Sequence, residues 1–211
     1  MKNNEDYWNS FYKLNKTNHK PSNFAKFIKK KFLNKKNYLF EIGCGDGRDS
    51  FYFKNFVKKI IAIDQSKLII EKNIKIVKKN HINNLDFQII SIDSKKISKI
   101  KRCNFIYARF FLHAINLKQE KKFLNFLKNY PKKKTVVALE FRTTKDILLN
   151  KGKKISKYER LTDHYRRFID VNDFVKKIIK IKFNIIYIKQ GVNFSKYKND
   201  NPHLCRLIFK V

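Results

Sequence analysis

A glycine-rich turn constrains the fold of this chain more than any other feature of the sequence. Three of its five glycines, Gly43, Gly45 and Gly47, stand at alternate positions in the stretch EIGCGDGRDS. The turn follows the apolar run 38–42, which predicts a buried strand, and it precedes a segment that predicts a helix. Glycine allows a positive φ angle and a close approach of a ligand to the backbone. At the carboxyl end of a strand in a parallel sheet, such a turn indicates a ligand site.

Strand-like and helix-like segments alternate along the first two thirds of the chain. Short apolar runs predict the strands, and amphipathic stretches such as 66–80 predict the helices between them. The alternation predicts an α/β fold with a seven-stranded, mostly parallel sheet and helices on both faces. The predicted strands are 38–42, 59–64, 85–93, 103–110, 135–141, 182–191 and 203–211.

The length of 211 residues fits one domain, 1–211, because no linker, internal repeat or low-complexity stretch interrupts the chain. Within it we expect a helical N-terminal lid at 1–33 and a polar, substrate-binding insertion at 147–170. No run approaches the roughly 18 apolar residues of a membrane span, and the N-terminus lacks the apolar core of a secretory signal. The three cysteines lie far apart without metal-ligand spacing, so we expect a reduced, cytoplasmic protein with no bound metal.

The net charge of +33 has two interpretations. It comes from 50 Lys and Arg residues against 17 Asp and Glu residues. As a functional feature it would attract RNA, DNA or an anionic membrane. As a compositional feature it would reflect the lysine-rich drift of an AT-rich genome, and lysines do occur in every segment. Because drift alone would also supply acids, nucleic acid stays open as a partner without being favoured.

The turn has the pattern acid-x-Gly-x-Gly-x-Gly, formed by Glu41, Gly43, Gly45 and Gly47. A dinucleotide-binding turn would carry its third glycine at position 48, which is Arg48, and no lysine–serine pair completes a Walker A loop. The pattern resembles motif I of the class I S-adenosylmethionine-dependent methyltransferases, and the resemblance extends over nearly the whole chain. It implies a Rossmann-like methyltransferase fold, S-adenosyl-L-methionine as the cofactor and S-adenosyl-L-homocysteine as the product.

In that family the glycine turn packs against the methionyl part and the ribose of the cofactor. The resemblance implies that Asp64, at the end of the second strand, binds the ribose hydroxyls and that Asp93, after the third, contacts the adenine. Carboxylates suit both tasks because ribose hydroxyls and the adenine amino group donate hydrogen bonds. Glu41 is expected near the amino group of the methionine. The expected cofactor-binding residues are Glu41, Gly43, Cys44, Gly45, Gly47, Arg48, Asp64, Gln65, Asp93, Ser94 and Ala108.

Two motifs of related methyltransferase families are missing from this sequence, and their absence limits which reactions we expect. The fourth strand continues as CNFIYARFFLHAIN and lacks the Asn/Asp-Pro-Pro-Tyr/Phe motif of enzymes that methylate exocyclic amines. The histidine and carboxylate constellation that binds metal in catechol-type enzymes is not recognisable either. The later segments are similar to a bacterial subset associated with small-molecule and surface-polysaccharide pathways.

The acceptor is expected beyond the ends of the fourth and fifth strands. Only eight arginines occur beside 42 lysines, and several of them fall there. A planar guanidinium suits a phosphate or carboxylate held by two hydrogen bonds. Tyr7, Trp8 and Tyr12 would form an aromatic wall within the lid. The expected acceptor-binding residues are Tyr12, Arg109, Glu140, Arg142, Tyr165, Arg166, Arg167 and Arg206.

A hydroxyl acceptor needs a base, and histidine is the side chain that titrates near neutral pH. His164 and His113 are the candidates for this catalytic role. Structural roles compete with it, because His113 could cap a helix and His164 could belong to a surface turn. Arg142 could likewise pair with Glu140 or Asp146 instead of a ligand.

The sequence therefore predicts methyl transfer from S-adenosylmethionine to oxygen on a small anionic acceptor, such as a phosphorylated or nucleotide-linked sugar. One alternative is a tRNA methyltransferase, for which the positive charge argues, although no appended RNA-binding domain is present. The other is a non-catalytic S-adenosylmethionine-binding subunit of a larger enzyme, against which the intact glycine turn argues. The identity of the acceptor and the oligomeric state stay open.

Overall fold

The computed structural model describes residues 4–14, 20–132, 134–197 and 199–211. The α-helices in these ranges are α1 Asn4–Leu14, α2 Asn23–Lys31, α3 Arg48–Phe53, α4 Lys67–Lys79, α5 Leu117–Lys128 and α6 Val171–Lys180. The strands are β1 Tyr38–Ile42, β2 Lys59–Asp64, β3 Leu85–Ile89, β4 Phe105–Arg109, β5 Val136–Arg142, β6 Lys153–Ser156, β7 Glu159–Leu161, β8 Tyr165–Arg167, β9 Asn184–Gly191 and β10 Leu204–Lys210. Short 3₁₀-helices cover Lys95–Lys99, Leu112–Ala114 and Ile147–Asn150.

Seven of the strands form one sheet in the order β3-β2-β1-β4-β5-β10-β9. β1 pairs in parallel with β2 and β4, and β2 pairs in parallel with β3. β10 runs antiparallel to both β5 and β9. The predicted Rossmann-like fold with a seven-stranded, mostly parallel sheet is therefore confirmed. β6, β7 and β8 form a separate antiparallel sheet.

The chain divides into two compact units, Met1–Tyr107 and Ala108–Val211. In the first unit the centre of the core is β1, whose Leu39 and Phe40 are fully buried. Ser66 begins α4, because its hydroxyl accepts a hydrogen bond from the backbone N–H of the first helical turn. Since Ser66 follows β2 almost directly, this cap determines how the chain turns at the end of that strand.

A buried carboxylate connects three elements of the first unit. Asp49, in the first turn of α3, accepts hydrogen bonds from the backbone N–H and the hydroxyl of Ser22, each at 2.7 Å. The hydroxyl of Tyr107 in β4 donates to the same carboxylate, also at 2.7 Å. Because all three residues are buried, this fully hydrogen-bonded group stabilises the position of α3 behind the glycine turn.

In the second unit, β5 and β10 are buried along almost their whole length. Phe141 of β5 packs edge-on against Phe174 of α6, with ring centroids 5.6 Å apart. A capping box formed by Asn116 and Gln119 begins α5. The buried strands and the contact between Phe141 and Phe174 give the second unit an apolar core of its own.

The predicted insertion at 147–170 contains one 3₁₀-helix and the three-stranded sheet β6-β7-β8. Arg167 at the end of β8 donates hydrogen bonds to the backbone carbonyls of Ile115 and Leu112, at 3.0 and 3.2 Å. It also donates to the carboxylate of Glu120 in α5 at 2.6 Å. The buried guanidinium thus anchors the small sheet to the residues before and within α5.

One strand boundary differs from the prediction, since β3 ends at Ile89 and not at Asp93. β3 is an edge strand that pairs with β2, and β2 ends at Asp64. The last hydrogen bond between them runs from the backbone N–H of Ile90 to the carbonyl of Asp64, at 3.0 Å. Beyond it β3 has no partner along which to continue, so the following residues turn.

The N-terminal stretch 1–33 contains α1 and α2, while residues 1–3 and 15–19 lie outside the described part of the chain. No helix in the described ranges combines the length and the apolar character that crossing a membrane requires.

Candidate functional site

The glycine turn has the backbone conformation that its composition predicts. Gly43, Gly45 and Gly47 have φ angles of 71°, 52° and 71°, in the region that disfavours other residues. The backbone N–H groups of Gly43 and Cys44 both donate to the carbonyl of Ile63, at 2.9 and 3.0 Å. These two hydrogen bonds connect the backbone of the turn to the backbone at the end of β2.

Space as well as conformation requires glycine here. A Cβ atom added at Gly45 would lie 2.4 Å from the hydroxyl oxygen of Tyr12, and one added at Gly47 would lie 2.7 Å from a ring carbon of Phe87. Tyr12 belongs to α1, so its hydroxyl lies directly against the glycine turn. Tyr12 is also one of the residues that the sequence predicts for the acceptor site, and that prediction stands beside its position against the glycine turn.

Asp64 joins the glycine turn to the start of α4. Its carboxylate oxygens accept hydrogen bonds from the backbone N–H groups of Gly45 and Ser66, each at 3.0 Å. Burial raises the pKa of Asp64, and the N–H groups of Ser66, Gly45 and Gln65 act in the opposite direction. Each oxygen of a carboxylate can accept more than one hydrogen bond, so these contacts leave acceptor capacity for a ligand.

Three other predicted residues around the turn are Glu41 and Arg48, which have protein partners, and Cys44, which is buried. Glu41 is buried and accepts a hydrogen bond from the hydroxyl of Ser50 in α3. Arg48 donates through Nε to the carbonyl of Lys20 at 2.8 Å, which connects α3 to the segment before α2. Burial raises the pKa of the Cys44 thiol well above its usual value, so the thiol stays protonated at neutral pH.

Three further predicted cofactor residues follow β3 or lie in β4. Asp93 is exposed, and its backbone N–H donates to the hydroxyl of Ser91 at 3.2 Å. Ser94 caps the 3₁₀-helix that follows. Ala108 is buried in β4, at the start of the second unit.

Asn73 is a residue of this site that the sequence analysis missed. It lies in α4, is fully buried, and donates through Nδ2 to the carbonyl of Gly45 at 2.9 Å. Its Oδ1 atom is buried and has no hydrogen-bond partner among the described residues. A polar residue on the helical face that also carries the buried Ile69 and Ile70 was the signal that could have found it.

Besides the pair of Arg167 and Glu120, the second unit contains three hydrogen-bonded groups of arginines and carboxylates. In the first, Glu140 of β5 is fully buried and accepts hydrogen bonds from Nε of Arg109 at 3.1 Å and from Nε of Arg206 at 2.7 Å. Burial raises the pKa of Glu140, and the two guanidinium groups oppose that rise. Two arginines therefore share one buried carboxylate in this group. Ser195 also donates to Glu140, at 3.3 Å.

The second group is centred on Arg142. Its guanidinium donates to the buried carboxylate of Asp146 at 2.9 Å and also to that of Asp200. Its backbone N–H donates to Nδ1 of His113 at 3.2 Å. The structural pairing of Arg142 with Asp146 that the sequence left open is therefore present.

The third group contains the second histidine. Nδ1 of His164 lies 3.1 Å from a carboxylate oxygen of Asp163, and Arg166 donates to the same carboxylate. Burial and the nearby Arg166 lower the pKa of His164 to about 4, although Asp163 opposes this shift. Burial opposes ionisation of Asp163, but the hydrogen bond from Arg166 holds its pKa below the usual range. His164 is therefore neutral at pH 7.

His113 is the more constrained of the two candidate bases. Burial first, and then the positive charges of Arg142 and Arg166, lower its pKa well below the usual value. Its Nδ1 atom already accepts the N–H of Arg142. Tyr165 also has a protein partner, since its hydroxyl donates to Glu159 at 2.5 Å. Burial and this carboxylate raise the pKa of Tyr165 above its usual value.

The residues of the first unit fit S-adenosylmethionine. The turn is formed by positive-φ glycines, two of which lie against aromatic side chains. One carboxylate is held in place beside it, and the side-chain amide of the buried Asn73 donates to it. Among the described residues, no group of three or more His, Cys, Asp or Glu side chains has an arrangement that could hold a metal ion.

Comparisons with known proteins agree with this arrangement. Residues 33–188 match a family profile described as a methyltransferase domain. A SAM-dependent methyltransferase from Methanosarcina mazei has a similar structure, with a TM-score of 0.72, 13% identity and coverage of 87% of this chain and 96% of that one. An S-adenosylmethionine-dependent methyltransferase from Clostridium acetobutylicum has a TM-score of 0.68, 13% identity and coverage of 90% and 91%. No curated protein sequence matches.

Proposed function

Because the chain belongs to the class I S-adenosylmethionine-dependent methyltransferases, which use S-adenosylmethionine as their cofactor, we propose that it methylates an oxygen atom of a small anionic acceptor. A phosphorylated or nucleotide-linked sugar is the acceptor class that we favour. The observation that carries the proposal is the group formed by Arg109, Glu140 and Arg206 in the second unit.

This group has the properties of an anion site. Its two guanidinium groups share the carboxylate of Glu140, and guanidinium groups suit a phosphate or carboxylate because each can donate two parallel hydrogen bonds. Each guanidinium is also stacked on an aromatic ring, Arg109 at 4.0 Å from the centre of Phe110 and Arg206 at 4.6 Å from that of Phe194. Stacking restricts the side chains before binding, which reduces the entropy that binding would cost. The other arginines differ, because Arg142, Arg166 and Arg167 each have a carboxylate partner of their own.

His164 is the residue that we propose as the general base. Asp163 contacts Nδ1, so the carboxylate favours the tautomer with the proton on that atom and the lone pair on Nε2. A neutral imidazole in this tautomer can accept a proton from a hydroxyl group. His113 is the weaker candidate, because its Nδ1 already accepts the backbone N–H of Arg142.

S-adenosylmethionine supplies, when bound, a methyl group that is electrophilic because it is attached to a sulfonium sulfur. The glycine turn, Asp64 and Asn73 are the residues that would hold it. The contribution of the chain is positioning of both reactants, together with removal of the proton from the acceptor hydroxyl.

The test is methyl transfer from isotopically labelled S-adenosylmethionine to matched pairs of sugars with and without a phosphate group. We expect product with the phosphorylated member of a pair. Arg206→Lys keeps the charge but loses the two-pronged guanidinium, so KM for the acceptor should rise about tenfold with little change in the affinity for S-adenosylhomocysteine. Arg160→Lys is the matched control, because the Arg160 guanidinium donates to backbone carbonyls at 2.7 and 2.8 Å and belongs to none of the three groups.

The pH profile tests the base. With the pKa of His164 at about 4, the rate should stay constant from about pH 8 to about pH 6 and fall only as the pH approaches 4. The proposal fails if neutral sugars are methylated as well as phosphorylated ones, or if His164→Gln leaves the rate unchanged.

RNA is the second candidate acceptor, and one observation favours it. Glu140, Asp146, Asp163 and Asp200 are all paired with arginines, so these four acids do little to neutralise the exposed lysines. If tRNA is the acceptor, its affinity should fall steeply with salt, and labelled methyl groups should appear in tRNA. A non-catalytic role as a subunit predicts binding of the cofactor with no methylated product from either class.

A further inference from the structure

A segment of the second unit outside the three arginine groups exposes aliphatic side chains. Between residues 147 and 161, which we call the insertion tip, Ile147 is 60% exposed, Ile155 47% and Leu161 37%. The tip consists of a 3₁₀-helix and of β6 and β7. Four lysines in the same stretch are also exposed, namely Lys151, Lys153, Lys154 and Lys157.

The tip has a net positive charge. Its single acidic residue is Glu159, whose carboxylate accepts a hydrogen bond from the hydroxyl of Tyr165. The buried Asp146, just before the tip, is occupied by Arg142 and by the backbone N–H of Leu148. Carboxylates inside the tip therefore cannot balance its four lysines.

The tip has a defined shape. β6 and β7 pair antiparallel with Lys153 opposite Leu161, and directly opposite residues project from the same face of such a pair. Gly152 has a φ angle of 77°, and a Cβ atom added there would lie 2.6 Å from the carbonyl oxygen of Leu161. The pairing of β6 with β7 therefore places Lys153 and Leu161 side by side, directly after the tight turn at Gly152.

We propose that the insertion tip is a docking surface for an anionic lipid bilayer. Aliphatic side chains among lysines suit the interface of a membrane, where the apolar groups enter the acyl boundary and the ammonium groups contact anionic headgroups. The long stems of the lysines can lie along the same apolar surface. The inference is independent of which acceptor the enzyme methylates.

RNA fits the tip less well. Sequence-tolerant RNA surfaces combine positive charge with aromatic side chains on which bases stack. The one aromatic residue of the tip, Tyr158, is half-buried, and the ammonium group of Lys157 lies 5.0 Å from its ring centre. The exposed apolar side chains of the tip are aliphatic, which favours lipid over nucleic acid.

The test is cosedimentation of the full chain with phosphatidylcholine vesicles that contain or lack phosphatidylglycerol. We expect binding to the anionic vesicles only, weakened by salt. Ile147→Ser combined with Ile155→Ser should lower the partition coefficient about tenfold. Lys153→Gln combined with Lys154→Gln should lower it by about fivefold for each lysine removed.

Matched controls come from other exposed residues. Ile179→Ser with Ile188→Ser removes equally exposed aliphatic groups from α6 and β9, and Lys78→Gln with Lys79→Gln removes two charges from the end of α4. Both control pairs should leave the partition coefficient almost unchanged. Equal losses from the tip and the control pairs would overturn the proposal, as would no binding to anionic vesicles.

A second measurement reports on insertion directly. The three native cysteines are buried, so Ile155→Cys can be labelled selectively with a dye that responds to polarity. We expect its emission to shift to the blue with anionic vesicles, whereas a dye on Ile188→Cys should not shift. If the tip variants instead weaken binding of tRNA and neither dye responds to vesicles, the surface is an RNA surface and the proposal is wrong.

Discussion

The polar sites of the two units are held together by different kinds of contact. In the first, the turn is held by its backbone, with the N–H of Gly45 on the carboxylate of Asp64. In the second, the contacts join side chains, since Arg109 and Arg206 both donate hydrogen bonds to the carboxylate of Glu140. The first arrangement depends on which φ angles and how much space each position allows. The second depends on whether every buried charge has a partner.

The difference predicts how each site fails. A backbone site should be lost when a single methyl group is added, with little dependence on salt or pH. A site of paired charges should tolerate small changes of shape but not the loss of one charge, and it should respond to pH. Four changes test this contrast, from the largest expected effect to the smallest.

Gly45→Ala should abolish measurable binding of S-adenosylhomocysteine in calorimetry. The new Cβ would lie 2.4 Å from the hydroxyl oxygen of Tyr12 at a φ angle of 52°, and the conformation alone costs about 1–2 kcal/mol. Gly152→Ala is the control, because it adds the same kind of strain at a φ angle of 77° in the other unit. It should lower the melting temperature without affecting cofactor affinity. Normal binding by Gly45→Ala would mean that the turn adapts and that the contrast is wrong.

Glu140→Gln should lower the free energy of unfolding in urea by about 3–5 kcal/mol, because it leaves two largely buried guanidinium groups without their carboxylate. Glu71→Gln is the matched control, since Glu71 forms an exposed pair with Lys67 at 3.7 Å. Its effect should stay below about 0.5 kcal/mol. Similar small effects of both changes would show that the buried group contributes no more than a surface pair.

Stability should fall on acidification, and His164 should account for part of the fall. The pKa of His164 is about 4 in the folded chain against an ordinary value of 6.5. Between these values the unfolded chain binds more protons, so the free energy of unfolding should drop by about 3 kcal/mol as the pH falls from about 6.5 to about 4. His164→Gln should flatten this part of the curve, whereas His81→Asn, in the turn after α4, should not. An unchanged slope in the His164 variant would contradict the assignment.

Asp64→Asn should raise the dissociation constant of S-adenosylhomocysteine about tenfold, because it replaces charge-assisted hydrogen bonds by neutral ones at constant volume. The melting temperature without ligand should change less than in the Glu140 variant. Asp93→Asn gives the comparison, since Asp93 is exposed and lies outside the turn. If Asp93→Asn has the larger effect on affinity, the cofactor depends more on the turn after β3 than on the end of β2.

Features that depend on local sequence were predictable. The order of strands and helices follows from apolar periodicity, and the glycine turn and the position of Asp64 follow from a short motif. The end of β3 was wrong by four residues, because it depends on the length of its partner β2.

The long-range partners of the charged residues could not be predicted from the sequence. Arg142 donates to Asp200, 58 positions along the chain, and Arg167 donates to carbonyls more than 50 positions away. Such pairs exist only once the fold has brought the elements together. The position of Tyr12 against Gly45 is a tertiary contact of the same kind, and no pattern in α1 indicated it.

The hydrogen bonds of Asp49 determine where the chain can be shortened. Ser22 supplies two of the donors to that buried carboxylate, although it lies inside the stretch 1–33 predicted to be a lid. A fragment that starts at residue 34 would keep the hydroxyl of Tyr107 but lose both donors of Ser22. We expect such a fragment to be insoluble, whereas one that starts at residue 20 should fold. Because Ser22 is the N-cap of α2, these hydrogen bonds also attach the start of α2 to the core of the first unit.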